Sequence, residues 1–309
     1  MLNLFTRLAP SAAALASALA LLSACGGGSP ESTVPIVDSI STATAGSAGV
    51  GAYGKKLLIT VNGSALDRGI TVLAPGCDGV TLLTAAPSQS SASTAYYDCT
   101  VSSDGTLSAF VLRDSSGISL GQASYSVPSP QVTLTIGNGT TTLGNIVMTL
   151  TAARTPITVK NFLAYVQAGF YDGLAFHRHS PNFVLQGGGY AAPLDPSQPV
   201  PELKTTNAAI ALEDSAGLSN LNLTVAMART NDPNSATSQF FINLADNTFL
   251  DRALLTGGRG YAVFANVTAG SDVLTAMRAA PCVTYAALLP SGDCLPRPNL
   301  VISSARQTR

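Results

Sequence analysis

The sequence predicts a mainly β protein of two folded units: a small β-sandwich-like domain, then a larger β-rich body with two helices. Three observations predict it. Short apolar runs recur from residue 56 onward, separated by Asn62-Gly63, Asp78-Gly79, Asp104-Gly105 and Ser116-Gly117, the pairs that tight turns between strands favour. Helical periodicity occurs in only two stretches, both after residue 130. Pro128-Ser129-Pro130 interrupts the pattern once, as a hinge between the units.

Composition narrows the function. A chain of 309 residues with 46% hydrophobic content can bury two cores and is not disordered. With 16 basic and 17 acidic residues and no basic run, it offers no nucleic-acid groove, because neutralising phosphates takes clustered Lys and Arg. Both histidines lie in His177-Arg178-His179, so any His-dependent chemistry is confined there.

Residues 1–24 read as an export signal, with one charge at Arg7 and an apolar core from Ala12 to Leu22 too short to span a bilayer. Leu22-Ser23-Ala24-Cys25 closely resembles the lipobox of bacterial lipoproteins, which implies cleavage before Cys25 and lipidation of that residue. An ordinary signal peptide is the alternative. Gly26 stands where an inner-membrane retention signal would place Asp, so the expected location is the outer membrane, facing the periplasm. Residues 25–50, rich in Gly, Ser, Thr and Pro, read as a flexible tether.

Residues 51–128 carry six strand-like runs: 57–61, 70–74, 80–84, 94–101, 107–112 and 123–127. This spacing suggests a small antiparallel sandwich. It shows no catalytic constellation and reads as a spacer or as a module for an envelope protein partner. Lipidation of Cys25 leaves four cysteines. Cys77 with Cys99 and Cys282 with Cys294 are close enough in sequence to form disulfides in an oxidising compartment. Zinc binding is the competing reading, but neither pair has CxxC spacing or a His nearby in the sequence.

Residues 131–309 form the second domain. Runs 132–136 and 144–150 read as a strand pair turning at Gly137-Asn138-Gly139. Thr155-Pro156 opens a helix with Val159, Phe162, Leu163 and Val166 on one face, stopped at Gly169. A second helix follows Ser271, a candidate N-cap, and carries Val273, Leu274 and Met277.

FHRHSPNFVLQGGGY (176–190) and VAMARTNDPNSATSQFFINLADNTFLD (225–251), with residues 155–178 and 260–267, closely resemble cyclophilin-type peptidyl-prolyl cis-trans isomerases, especially bacterial periplasmic ones. Several motifs agree in order and spacing, which is far more specific than a single pattern. The resemblance implies an eight-stranded antiparallel barrel closed by two helices, an X-Pro isomerase needing no cofactor or metal, and proline-containing polypeptides as substrates. It assigns Arg178 and Gln186 as catalytic, with Phe183, Val184, Ala228, Arg229, Gln239, Phe241, Phe249, Leu250 and Tyr261 at the substrate pocket. Arg229 stands where eukaryotic members usually have Asn, and Tyr261 where many have His. Phe249 replaces the Trp of the human archetype, so weaker cyclosporin binding is expected.

These residue types suit the chemistry. Amide resonance sets a rotation barrier of roughly 18 to 20 kcal/mol. In the twisted state the prolyl nitrogen regains a lone pair, so a guanidinium donating to it favours the transition state over the ground state. An apolar pocket favours the less polar twisted amide. No proton moves, so no catalytic His is required; His177 and His179 read as structural or solvent-exposed. Gly187-Gly188-Gly189 lacks the GxGxxG pattern and reads as a site of close backbone packing. A scaffold that binds Pro-containing segments without turnover is the alternative function.

Overall fold

The structure, a computed structural model, describes residues 34–44, 47–114, 116–252 and 258–309. Cys25 and the signal segment lie outside them.

The first unit contains β1 (Ile36–Thr44), β2 (Ser47–Ala48), β3 (Lys56–Ser64), β4 (Ile70–Leu73), β5 (Cys77–Leu82), β6 (Thr94–Val101), β7 (Gly105–Arg113) and β8 (Ser119–Val127). One sheet runs β2-β1-β3-β6-β5 and the other β4-β7-β8. Strict alternation buries Leu57, Ile59 and Val61 of β3, Tyr97 and Cys99 of β6, and Val111 of β7 in an apolar core. The six apolar runs fall on β3 to β8. The segment read as a tether does not stay one up to residue 50, because β1 starts at Ile36 and pairs with β3 along its length. Its Ser and Thr side chains are what made it look like linker, and the only buried ones are Thr42 and Thr44. Cys77 bonds Cys99 across β5 and β6.

The second unit contains β9 (Gln131–Gly137), β10 (Thr142–Leu150), α1 (Pro156–Gln167), β11 (Leu174–Ser180), β12 (Val184–Ala191), β13 (Thr224–Met227), β14 (Phe240–Asn243), β15 (Val263–Ala269), α2 (Ser271–Arg278), β16 (Cys282–Val283), β17 (Leu295–Pro296) and β18 (Val301–Gln307). Eight of these strands close a barrel in the order β10-β15-β13-β14-β12-β11-β18-β9, every pair antiparallel. Leu134, Ile146, Met148, Phe176, Leu185, Phe240 and Phe264 are fully buried in its core. Helix α1 adds Val159, Phe162, Leu163 and Val166, with Phe162 edge-on to Phe240 at 5.6 Å. Helix α2 buries Val273, Leu274 and Met277, but Ser271 is its first residue and Gly270 holds the N-cap position.

Between α2 and β18 the chain makes an excursion. The two residues of β16 pair with those of β17, Cys282 bonds Cys294, and Tyr285, Leu289 and Leu295 pack with Ala175 and Leu194 in a small separate core.

The two units meet tightly at residues 128–130. Buried Asp104 of the first accepts the backbone N–H of Ala153 at 2.6 Å through Oδ1 and the Ser129 hydroxyl through Oδ2. A carboxylate satisfied from both sides ties the junction that the proline pair marks in the sequence.

Candidate active site

Arg178 reaches the outer face of the barrel because of a register break. Phe176 points into the core, and plain alternation would send Arg178 the same way. Instead the pairing of β11 with β12 shifts between Phe176 and Arg178: Phe176 stands opposite Gly187, and Arg178 opposite Gln186. Bulges of this kind re-aim a side chain. Gln186 in turn faces Phe241 across β12 and β14, and Phe241 faces Ala226 across β14 and β13. Four adjacent strands therefore bring Arg178, Gln186, Phe241 and Ala226 into one row.

The Ser238-Gln239-Phe240-Phe241 segment is set by its neighbours. Ser238 donates its hydroxyl to Gly188 O at 2.8 Å and accepts the Tyr171 hydroxyl on its carbonyl at 2.8 Å. Gly188 has φ +87°, and a Cβ there would lie 2.8 Å from Ser238 O; at Gly189 a Cβ would lie 2.8 Å from the Gln239 side chain. The glycine run is the close packing surface that brings β14 against β12. Phe240 enters the core while Phe241 faces the cavity.

Arg178, Phe183, Val184, Gln186, Ala228, Arg229, Phe241, Leu250 and Tyr261 line a cavity of about 280 Å³. Its floor is a buried apolar cluster of Val184, Ala226, Phe241, Leu250 and Val263. Gln186 Oε1 accepts from Arg178 Nη1 at 3.1 Å, and Gln186 Nε2 donates to Gln239 Oε1 at 2.9 Å. Gln239 therefore lies behind Gln186 rather than lining the cavity. Phe249 also stands outside the lining: it is 53% exposed and stacks on Phe183 at 5.6 Å between ring centroids. Phe249, grouped with the substrate pocket by the resemblance, stands at its rim and supports Phe183. Arg229 lies over the Tyr261 ring at 4.5 Å and donates to Gly260 O and Arg259 O, holding that edge of the cavity. Residues 253–257, between Arg252 and Gly258, lie outside the described residues.

Sequence reasoning missed two features. Asp293 accepts from Arg178 Nε at 2.5 Å, and its side chain is only 7% exposed. No local signal links residues 115 positions apart. The second feature is a chain of buried amides. Asn247 donates to Phe183 O and to Asn243 Oδ1, both at 2.8 Å, and Asn243 donates to Asn220 and Thr224. It fixes the loop that carries Phe183.

The histidines are both buried, which favours the structural reading over the solvent-exposed one. Burial is the main cause that pushes the His177 pKa down to about 4, and it lowers that of His179 as well. Both are neutral near pH 7. His179 also lies beside the second disulfide, its ring nitrogen and the sulfurs of Cys282 and Cys294 within 4.8 Å of one another. The fold thus supplies the His that the linear spacing lacked, although in this state the two sulfurs are bonded to each other.

A family profile described as cyclophilin type peptidyl-prolyl cis-trans isomerase matches residues 133–306. Among curated proteins, a peptidyl-prolyl cis-trans isomerase of Streptomyces antibioticus is 52% identical over 139 residues, covering 45% of this chain and 80% of its own. One from Acinetobacter baylyi is 47% identical over 145 residues, covering 47% of this chain and 72% of its own. A solved cyclophilin-type isomerase of Cryptosporidium parvum aligns with 58% of this chain and 99% of its own, at TM-score 0.44 and 20% identity.

Proposed function

Because this chain belongs to the cyclophilin-type peptidyl-prolyl cis-trans isomerases, enzymes that rotate X-Pro peptide bonds, we propose that Arg178 drives the rotation by donating to the prolyl nitrogen while the proline ring sits in the apolar cavity. One observation carries this reading: a guanidinium with two of its nitrogens already held stands at the wall of a small cavity whose floor is apolar. A cavity of about 280 Å³ suits one ring rather than an extended ligand, so the polypeptide on either side of the proline runs over the surface.

Arg178 is permanently charged and cannot act as a base, so its role is donation alone. With Nε on Asp293 and Nη1 on Gln186, Nη2 is the nitrogen left for a ligand. A hydrogen bond from a charged donor contributes about 1.5 to 3 kcal/mol, and about 1.4 kcal/mol is tenfold in rate. Arg178 therefore supplies one to two powers of ten. Phe183, Val184, Phe241 and Leu250 supply the rest by replacing water around an amide that loses charge separation as it twists. Gln186 holds the guanidinium from one side and is in reach of the substrate backbone, with Gln239 fixing its amide. The test is a protease-free isomerisation assay on an Ala-Pro peptide: Arg178→Ala should lose ten- to a hundredfold in rate, and equal rates would remove Arg178 from the mechanism.

The setting belongs to the same proposal. Cys25 carries lipid, the mature protein is held in the bacterial envelope at the outer membrane, and its substrates are exported polypeptides folding in the periplasm. The lipobox-like run and two disulfides support this reading, since disulfides persist in oxidising compartments.

A further inference from the structure

We propose that Asp293 is a positioning residue for Arg178, and that the Cys282–Cys294 disulfide acts on isomerisation by presenting Asp293 to it. This rests on the reading of Arg178 as the donor.

The arrangement begins at the edge of β11 that faces β18. At Leu174 and Ala175 that edge pairs with β18. Four residues on it is taken by Cys294: His179 N donates to Cys294 O at 2.8 Å, and Cys294 N donates to His179 O at 2.9 Å. The residue paired with Cys294 thus directly follows Arg178, and the residue preceding Cys294 is Asp293. The excursion between α2 and β18 is in effect a short extra strand that docks an acid beside the arginine.

Three features hold that acid in place. The Cys282–Cys294 bond closes the excursion at the residue next to Asp293. Tyr285 and Leu289 anchor its interior in a core shared with Ala175 and Leu194, and the Tyr285 hydroxyl donates to Gln198 O at 3.1 Å. The backbone N–H of Asp293 donates to Pro290 O at 3.2 Å. A carboxylate this buried needs a cationic partner, and the one it meets is Arg178 Nε.

Fixing Nε has a chemical consequence. An arginine side chain has many rotamers, and a donor that must find the prolyl nitrogen pays for that search in each turnover. With Nε on Asp293 and Nη1 on Gln186, two hydrogen bonds and the bond to Cδ together set the guanidinium orientation before substrate arrives. Asp293 is not among the residues that line the cavity, so it acts through Arg178. Its loss should therefore lower kcat and leave peptide binding, which the apolar cavity provides, nearly unchanged.

The experiment uses the folded, oxidised protein, a protease-free Ala-Pro assay and 15N-arginine labelling. Asp293→Ala should lose about tenfold in kcat with KM within twofold, and the protected Arg178 Nε–H signal should disappear. Asp293→Asn, which keeps the shape and one acceptor, should lie between it and wild type. The Cys282→Ser/Cys294→Ser pair should lose at least threefold. Added to Asp293→Ala it should cost nothing further, because both act through one contact. Wild-type kcat in both Asp293 variants, or a full multiplicative loss in the combined variant, overturns the inference. Loss in Arg178→Ala without loss in the Asp293 variants overturns this inference alone; full activity in Arg178→Ala overturns the proposed mechanism and this inference with it.

Discussion

At the scale of single residues, the site separates side chains that line the cavity from those that support it. Phe241 is 5% exposed and forms the floor, whereas Phe249 stacks outside on Phe183. Phe241→Ala should therefore cost at least tenfold in kcat/KM, and Phe249→Ala less than threefold, measured on the same peptide. The histidines give a pH prediction. An unfolded His takes its proton near pH 6.5, while His177 in the fold does so only near 4. Between those values the unfolded chain binds more protons, so stability falls as pH drops from 6.5 toward 4, by about 3 kcal/mol for this group. Tag-free protein followed by NMR should show the His177 imidazole titrating near pH 4. A His177 midpoint near 6.5 would contradict the burial account. The motif residues were legible because FHR and SQFF place particular side chains at fixed spacing. The stacking of Phe249 on Phe183 was not, since a sequence does not pair distant aromatic side chains.

At the scale of elements, strands with apolar alternation were readable and those without it were not. Strands β3, β6, β7 and β8 carry buried residues such as Leu57, Tyr97, Val111 and Tyr125 at alternate positions. Strand β1 is held by backbone pairing to β3 and buries only two threonines, so composition alone disguised it as linker. The bulge in β11 was equally hidden, although it decides which way Arg178 faces. The Cys77–Cys99 bond spans 22 residues of the first unit, far in sequence from the cavity residues. A loop of that size contributes about 3 kcal/mol by restricting the unfolded chain. Replacing both cysteines by Ser should lower the stability of the first unit by that order in urea unfolding while kcat/KM stays within twofold. The Asn220, Asn243 and Asn247 chain is the opposite case: Asn247→Ala removes the side-chain hold on Phe183 O and should lower both stability and turnover.

At the scale of the whole molecule, the barrel carries the cavity and the first unit is tied to it through Asp104. The barrel was legible through a resemblance spread over many motifs. The contact between Asp293 and Arg178 was not, because it depends on how an excursion after α2 folds back on β11. The junction at Asp104 was hidden for the same reason. The proposed placement in the envelope rests on Cys25: Cys25→Ala should move the protein from the membrane fraction to the soluble periplasmic fraction, and an unchanged distribution would remove the anchor from the account. The central claim is that Arg178 works on the twisted amide rather than on binding. Exchange NMR on a Pro-containing peptide measures both at once. In Arg178→Ala the dissociation constant should stay within about twofold of wild type while the catalysed cis-trans exchange rate falls ten- to a hundredfold; an exchange rate equal to wild type, or a loss explained entirely by weaker binding, would contradict it.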